Sequence, residues 1–296
     1  MRLRVLSALV FAVTMAFAVS QGSAGPSLPP PMTVSGFQTP ESVLYDPTGD
    51  VYLVSNINGN PTATDDNGFI SRVRPDGRIA TLKWIDGAGA AVTLNAPKGM
   101  AISGEILYVT DITAIRMFDR RTGAPKGSVA VPGSTFMNDA AAGPDGSVYF
   151  TDSGLKPDFS PSGTDAVYRL RNGALSTVAK GAHLKTPNGI AVLPGGRLVV
   201  VTFSQGGEIY ELTADGRQRP LPNLPKGQLD GVVALQGGVF LVSSWAAAAV
   251  YRVTGATAEV LVPNVESPAD IGYDSRRDRV LIPLFQKNQV VIQPLR

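Results

Sequence analysis

The stretch MNDAAAGPDGSVYFTDSG, residues 137–154, decides the fold. It reads as a short apolar strand, a turn at Pro144-Asp145-Gly146 and a second strand, with the polar residues Asn138 and Asp139 at its start. The same order recurs in PESVLYDPTGDVYLVSN from Pro40, PKGMAISGEILYVTD from Pro97, PNGIAVLPGGRLVVVTF from Pro187, LDGVVALQGGVFLVSSW from Leu229 and ADIGYDSRRDRVLIPLF from Ala269. A third strand follows in the first five units, such as AVYRL from Ala166, EIYEL from Glu208 or AVYRV from Ala249, and usually a fourth. A repeat of about forty residues with four strands per unit points to a β-propeller, because one such sheet cannot bury both faces without neighbours. The expected fold is therefore all-β, a six-bladed β-propeller with four-stranded antiparallel blades. The last unit is one strand short before Arg296, so MTVSGF from Met32 is expected to complete it and close the ring, hiding the open edge.

Composition agrees. The chain has 296 residues, 44% hydrophobic and 17% charged, with 32 Gly and 23 Pro punctuating Val-, Leu-, Ile- and Tyr-rich segments. Met1-Arg2-Leu3-Arg4, an apolar run from Val5 to Val19 and small residues around Ser20 and Ala24 read as a signal peptide over residues 1–24. Residues 25–31 then form a Pro-rich linker, and residues 32–296 the propeller. The run is shorter than the ~20 residues a spanning helix needs, and no membrane contact is expected of the mature form; the expected location is periplasmic or secreted. Without Arg2 and Arg4 the count of Lys and Arg falls from 26 to 24, against 24 acids, which leaves no basic excess for nucleic acid. With no Cys and one His, disulfides, thiolate catalysis and sulfur-ligated zinc are excluded. Oligomeric state is not legible.

In a propeller the first strand of each blade lines the central channel. The polar residues that begin these strands, Glu41, Lys98, Asn138, Asn188, Asp230 and Asp270, are therefore expected to form a ring at its mouth. The long segments from Asn56 and from Ser153 fall between second and third strands and should rim that mouth. Phe203, Trp245 and Phe285, at or just past the ends of second strands, would give it an apolar wall. Carboxylate and amide oxygens converging from several blades suit a hard cation, above all Ca²⁺.

Taken in order, Glu41 in PES, Asn138 in FMNDAAAGPDG, Asn188 in PNGIAV and Asp230 in LDGVVA resemble the SMP-30/gluconolactonase/LRE-like family of six-bladed propellers, related to diisopropyl fluorophosphatase, over essentially the whole mature chain. The resemblance implies a hydrolase of lactones or related esters that depends on Ca²⁺ or another divalent metal. It implies Glu41, Asn138, Asn188 and Asp230 as the metal set, with Asn138 alternatively orienting substrate and Asp230 also the catalytic base or nucleophile. Sugar-lactone members commonly carry Arg where this chain has Phe136. Phe136 and Trp245 would therefore contact a more apolar lactone or ester. Lys98 would balance the acids, hold a substrate oxygen or snorkel outward. The rival reading is a non-catalytic NHL-like propeller that binds a protein, peptide or glycan through its loop-rich face.

Other conspicuous residues fit plainer readings. His183 is expected in an exposed loop, with a base at the mouth as the alternative. Asp65-Asp66-Asn67-Gly68 lacks the ligand spacing of a calcium loop and reads as a solvated turn. Asp111 and Asp152 close second strands as turn caps.

Overall fold

The computed structural model describes residues 29–213 and 215–295. The expected signal segment and residues 25–28 of the linker lie outside the described residues. Six four-stranded sheets follow one another around a central channel, each built in simple sequential order except the last. The inner strands of blades one to five are Pro40–Asp46, Pro97–Ser103, Met137–Ala142, Pro187–Val192 and Leu229–Ala234. Blade six carries Gly272–Asp274 as the regular part of its inner strand. Its outermost strand is Met32–Ser35, which pairs antiparallel with Gln289–Pro294, so the N-terminal segment closes the ring as expected.

The core is divided among the interfaces between blades. Leu53, Ile70 and Ile85 of blade one pack on Met100, Leu107, Val109 and Phe118 of blade two. Equivalent clusters recur at every junction, ending with Val34, Leu281, Val290 and Ile292 against Val43, Tyr45, Tyr52 and Val54 where blade six meets blade one. Each strand alternates sides, so both faces of each sheet are covered by its neighbours.

Near the channel the packing is backbone against backbone. A Cβ on Gly189 would collide with the Asp230 carbonyl, and one on Gly231 with the Ile271 amide and Asp270 Cα. The inner strands of blades one to five each contain a β-bulge directly after their first residue. A bulge re-aims side chains, and these bulges contain the ring residues.

Candidate active site

The bulges are pinned by hydroxyls on the second strands. Ser55, Thr151 and Ser243 accept the amide N–H of Ser42, Asp139 and Gly231 respectively. Thr151 Oγ1 in turn donates to the Asn188 carbonyl of the next blade at 2.6 Å, and Ser243 Oγ to the Ala269 carbonyl at 2.8 Å. Thr110 donates to the Asn138 carbonyl in the same way. One side chain thus fixes a bulge and the neighbouring blade's ring residue together.

That frame brings Glu41, Lys98, Asn138, Asn188 and Asp230 to the floor of a cavity of about 330 Å³ at one end of the channel. The sixth member differs from expectation. Pro268 pairs with Leu284, the last residue of its second strand, just as Pro40 pairs with Asn56, so Ala269 rather than Asp270 is equivalent to Glu41. The second strand of blade six begins at Arg279, not at the apolar Val280, which shifts the count by one. Asp270 lies one residue deeper, where Ser42 Oγ donates to its Oδ2 at 2.5 Å and the Asp139 carboxyl is its neighbour. Asp139 itself accepts the amides of Ala140 and Ile190 at 2.6 and 2.7 Å.

The oxygens that face the cavity have no protein partners. Glu41 Oε2, Asn138 Oδ1, Asn188 Oδ1 and Asp230 Oδ1 are buried and make no hydrogen bond. Leaving one such acceptor without any partner costs about 1–3 kcal/mol, so these four oxygens call for water or a ligand in the cavity. The Asn138 amide is oriented for this: its Nδ2 donates to Ser153 Oγ at 3.0 Å, and Ser153 donates to the Pro187 carbonyl at 2.8 Å. Burial pushes the carboxyls of both Glu41 and Asp230 well above the ordinary range, with neighbouring acids adding to it. The Trp245 indole lies close enough to Asp230 to hold its pKa down, yet outside hydrogen-bonding geometry.

Among the described residues no three His, Cys, Asp or Glu side chains are placed to share a metal ion. The ring instead offers two carboxylates and two amide oxygens, a hard donor set that fits a divalent cation such as Ca²⁺ completed by water or substrate oxygens.

Lys98 does not snorkel outward. It is 1% exposed, its Nζ donates to the Pro61 and Ala96 carbonyls at 3.0 and 3.2 Å, and it lies over the Phe136 ring at 4.4 Å. Burial lowers its pKa to about 8, although the charge of Glu41 works the other way. Above the ring an apolar tier comes from the positions just past the second strands. Phe203, Trp245 and Phe285 pack in sequence, the first pair edge-to-face and the second tilted, with centroids 5.4 and 5.2 Å apart. Ile57, at the equivalent position in blade one, lies among the lining residues, as do Pro61, Leu155 and Phe159 from the two long loops. Phe136 also lines the cavity, edge-on to Phe159 at 6.2 Å.

His183 and residues 65–68 keep their plainer roles, whereas Asp111, expected as a turn cap, bonds instead to more distant groups. His183 is exposed and does not line the cavity. Asp65 to Gly68 form a turn in which Asn67 Nδ2 donates to Asp65 Oδ2, Asp66 Oδ1 accepts the Leu94 amide and the Asp66 amide donates to Asn95 Oδ1. Asp111 and Asp152 accept amides of the segments entering the inner strands, at Asn95 and Ala96 and at Thr135 and Phe136. Sequence reasoning missed the bridging hydroxyls, whose signal is the Ser or Thr one residue before the end of the second strand in four of the six repeats.

A family model described as SMP-30/Gluconolactonase/LRE-like region matches residues 39–272. Among solved structures, a gluconolactonase from Xanthomonas campestris has a TM-score of 0.70 at 21% identity, covering 90% of this chain and 89% of that one. Virginiamycin B lyase from Staphylococcus aureus gives 0.63 at 15%, covering 90% and 100%. A luciferin-regenerating enzyme gives 0.62 at 15%, covering 90% and 98%. Comparison with curated proteins gives no match. At such identities the structural likeness establishes the fold. The family match goes further, because it spans residues 39–272, well over half of the chain, and on that ground the chain belongs to the SMP-30/gluconolactonase/LRE-like family.

Proposed function

We propose that this protein is an exported, divalent-metal-dependent hydrolase of lactones or related esters. The observation that carries the reading is the set of four buried, unpartnered oxygens at matched bulge positions in four blades. A propeller that served only as a docking scaffold would have no use for them, since each lowers stability until something occupies the site.

Glu41, Asn138, Asn188 and Asp230 would hold the cation. When bound, a cation such as Ca²⁺ supplies Lewis acid polarisation of the substrate carbonyl and offsets the negative charge that develops there. Asp230 acts on the substrate as base towards water or as nucleophile towards the carbonyl carbon, because its free oxygen faces the cavity. The ring asparagine of blade three, Asn138, fixes the position of a substrate oxygen through the second N–H of the amide that Ser153 orients. Phe203, Trp245 and Phe285 exclude bulk water from one side and receive the apolar part of the lactone. The N-terminal pattern supports export to the periplasm or medium.

The test is calorimetric titration of chelated protein with Ca²⁺, followed by hydrolysis of aryl and alkyl lactones. Binding at one site, lost in a Glu41→Gln/Asp230→Asn double variant, with turnover that needs the ion, is the expected outcome. Absence of binding by any of Ca²⁺, Mg²⁺ or Mn²⁺ would remove the metal-dependent reading.

A further inference from the structure

A fully buried ammonium in the same ring as a cation site is an electrostatic anomaly. Lys98 occupies the bulge position of blade two equivalent to Glu41 in blade one, so its charge points at the channel and not into solvent. Two carboxylates act on it, Glu41 and Asp111. Asp111 is already committed: its Oδ2 accepts Arg116 Nε at 2.8 Å, and its Oδ1 accepts the Asn95 and Ala96 amides. Glu41 is a member of the cation set. A divalent ion balances the charges of Glu41 and Asp230, and the buried Asp139 and Asp270 bond to each other one residue deeper and do not act on Lys98, so no carboxylate is left as its direct partner.

The surroundings hold that charge in place without neutralising it. Two backbone carbonyls take two of its three N–H donors. The Phe136 face lies 4.4 Å away and gives a cation–π contact. One donor remains for a ligand in the cavity that Lys98 lines. Around this point the walls are apolar: Phe136, Phe159, Leu155 and Pro61. A low-polarity wall strengthens any ion pair formed there.

We propose that Lys98 is a specificity-determining residue, selecting a substrate with an apolar, aromatic-compatible body that carries an anionic group, for which its ammonium is the counter-charge. This rests on the metal-dependent hydrolase reading of the site and narrows its substrate class. The body lies between Phe136, Phe159 and the Phe203–Trp245–Phe285 cluster, the anion meets Lys98, and the scissile carbonyl faces the four ring oxygens. No covalent step is assigned to Lys98.

The probe is benzenesulfonate, an aromatic anion that is a weak ligand for divalent ions, compared with neutral benzenesulfonamide on calcium-loaded protein. Calorimetry should show sulfonate binding at least ~10-fold tighter than sulfonamide in the wild type, a difference worth about 1.4 kcal/mol. Lys98→Met should reduce that preference to within about twofold while Ca²⁺ affinity stays equal or rises, since a like charge has been removed. Lys98→Arg keeps the charge and should keep the preference, which covers the case in which Lys98→Met fails to fold. Equal binding of the two probes to the wild type, or a preference that survives in Lys98→Met, would overturn the proposal and leave Lys98 as charge balance within the ring. Loss of the preference in a folded Lys98→Arg would overturn it equally. Failure of the wild type to bind Ca²⁺ is read separately, from the metal titration, and would remove the underlying reading instead.

Discussion

Replacing Thr151 by Val keeps the shape of a side chain that is fully buried and removes only its hydroxyl. That hydroxyl accepts the Asp139 amide at 2.9 Å and donates to the Asn188 carbonyl at 2.6 Å, linking blade three to blade four. After the change a buried N–H and a buried carbonyl both lose this partner, and at about 1–3 kcal/mol for each such group the variant should lose ~2–6 kcal/mol. For a chain of this length that is a fall in Tm of roughly 4–11 °C. The measurement is the urea midpoint and the thermal transition, with Ser176→Ala as control. Ser176 is exposed and makes one weak bond to the Arg169 carbonyl at 3.3 Å, so its loss should be silent. Asn188 is also a proposed cation ligand, so Ca²⁺ affinity should fall in Thr151→Val as well. A stability change below about 0.5 kcal/mol, with Ca²⁺ affinity unaltered, would refute the claim that this hydroxyl fixes the bulge and the ring.

Gly231→Ala should destabilise by about 2 kcal/mol or more, since the new methyl meets the Ile271 amide and Asp270 Cα rather than a flexible side chain; unchanged unfolding would contradict the close approach. Removing residues 1–36 takes away the closing strand and the buried Val34, and exposes the Gln289–Pro294 edge; light scattering should then report a larger average mass per chain than for the full chain, and no increase would contradict the protective role of the closing strand. Asp50 is held at about 2, first by its hydrogen bonds to Arg277. A depressed carboxyl contributes stability above its unfolded value of about 4, and that contribution is lost as pH falls towards 2. Asp50→Asn should therefore lower the urea midpoint at pH 6 more than at pH 2.5, and an equal effect at both would exclude the ion pair. His183→Ala should leave turnover unchanged, given its exposure away from the cavity; a lost activity would bring it into the site.

The repeat made blade number, strand order and ring closure legible, because strand–turn–strand units at a regular period have few packed solutions. Ring membership was legible only where the hairpin kept its length. In blade six the pattern YDSRRDRV invites alignment on Val280, whereas pairing starts at Arg279, and a one-residue slip exchanges Ala269 for Asp270. The direction of Lys98 was also beyond sequence reasoning. Whether a long cationic side chain snorkels or stays in is decided by the Pro61 carbonyl, which a loop 37 residues earlier brings across the mouth. The hydroxyl bridges are visible as letters, but their role needs the neighbouring blade in place.

Closure by Met32–Ser35 against Gln289–Pro294 also sets the order in which the molecule can be finished. Met32–Ser35 finds its partner only when Gln289–Pro294 exists, so a growing chain carries an unsatisfied edge on each of these strands until both are present. Closure of the ring thus waits for Gln289–Pro294, and any compartment in which this protein matures must tolerate or shield those two edges until that strand is in place.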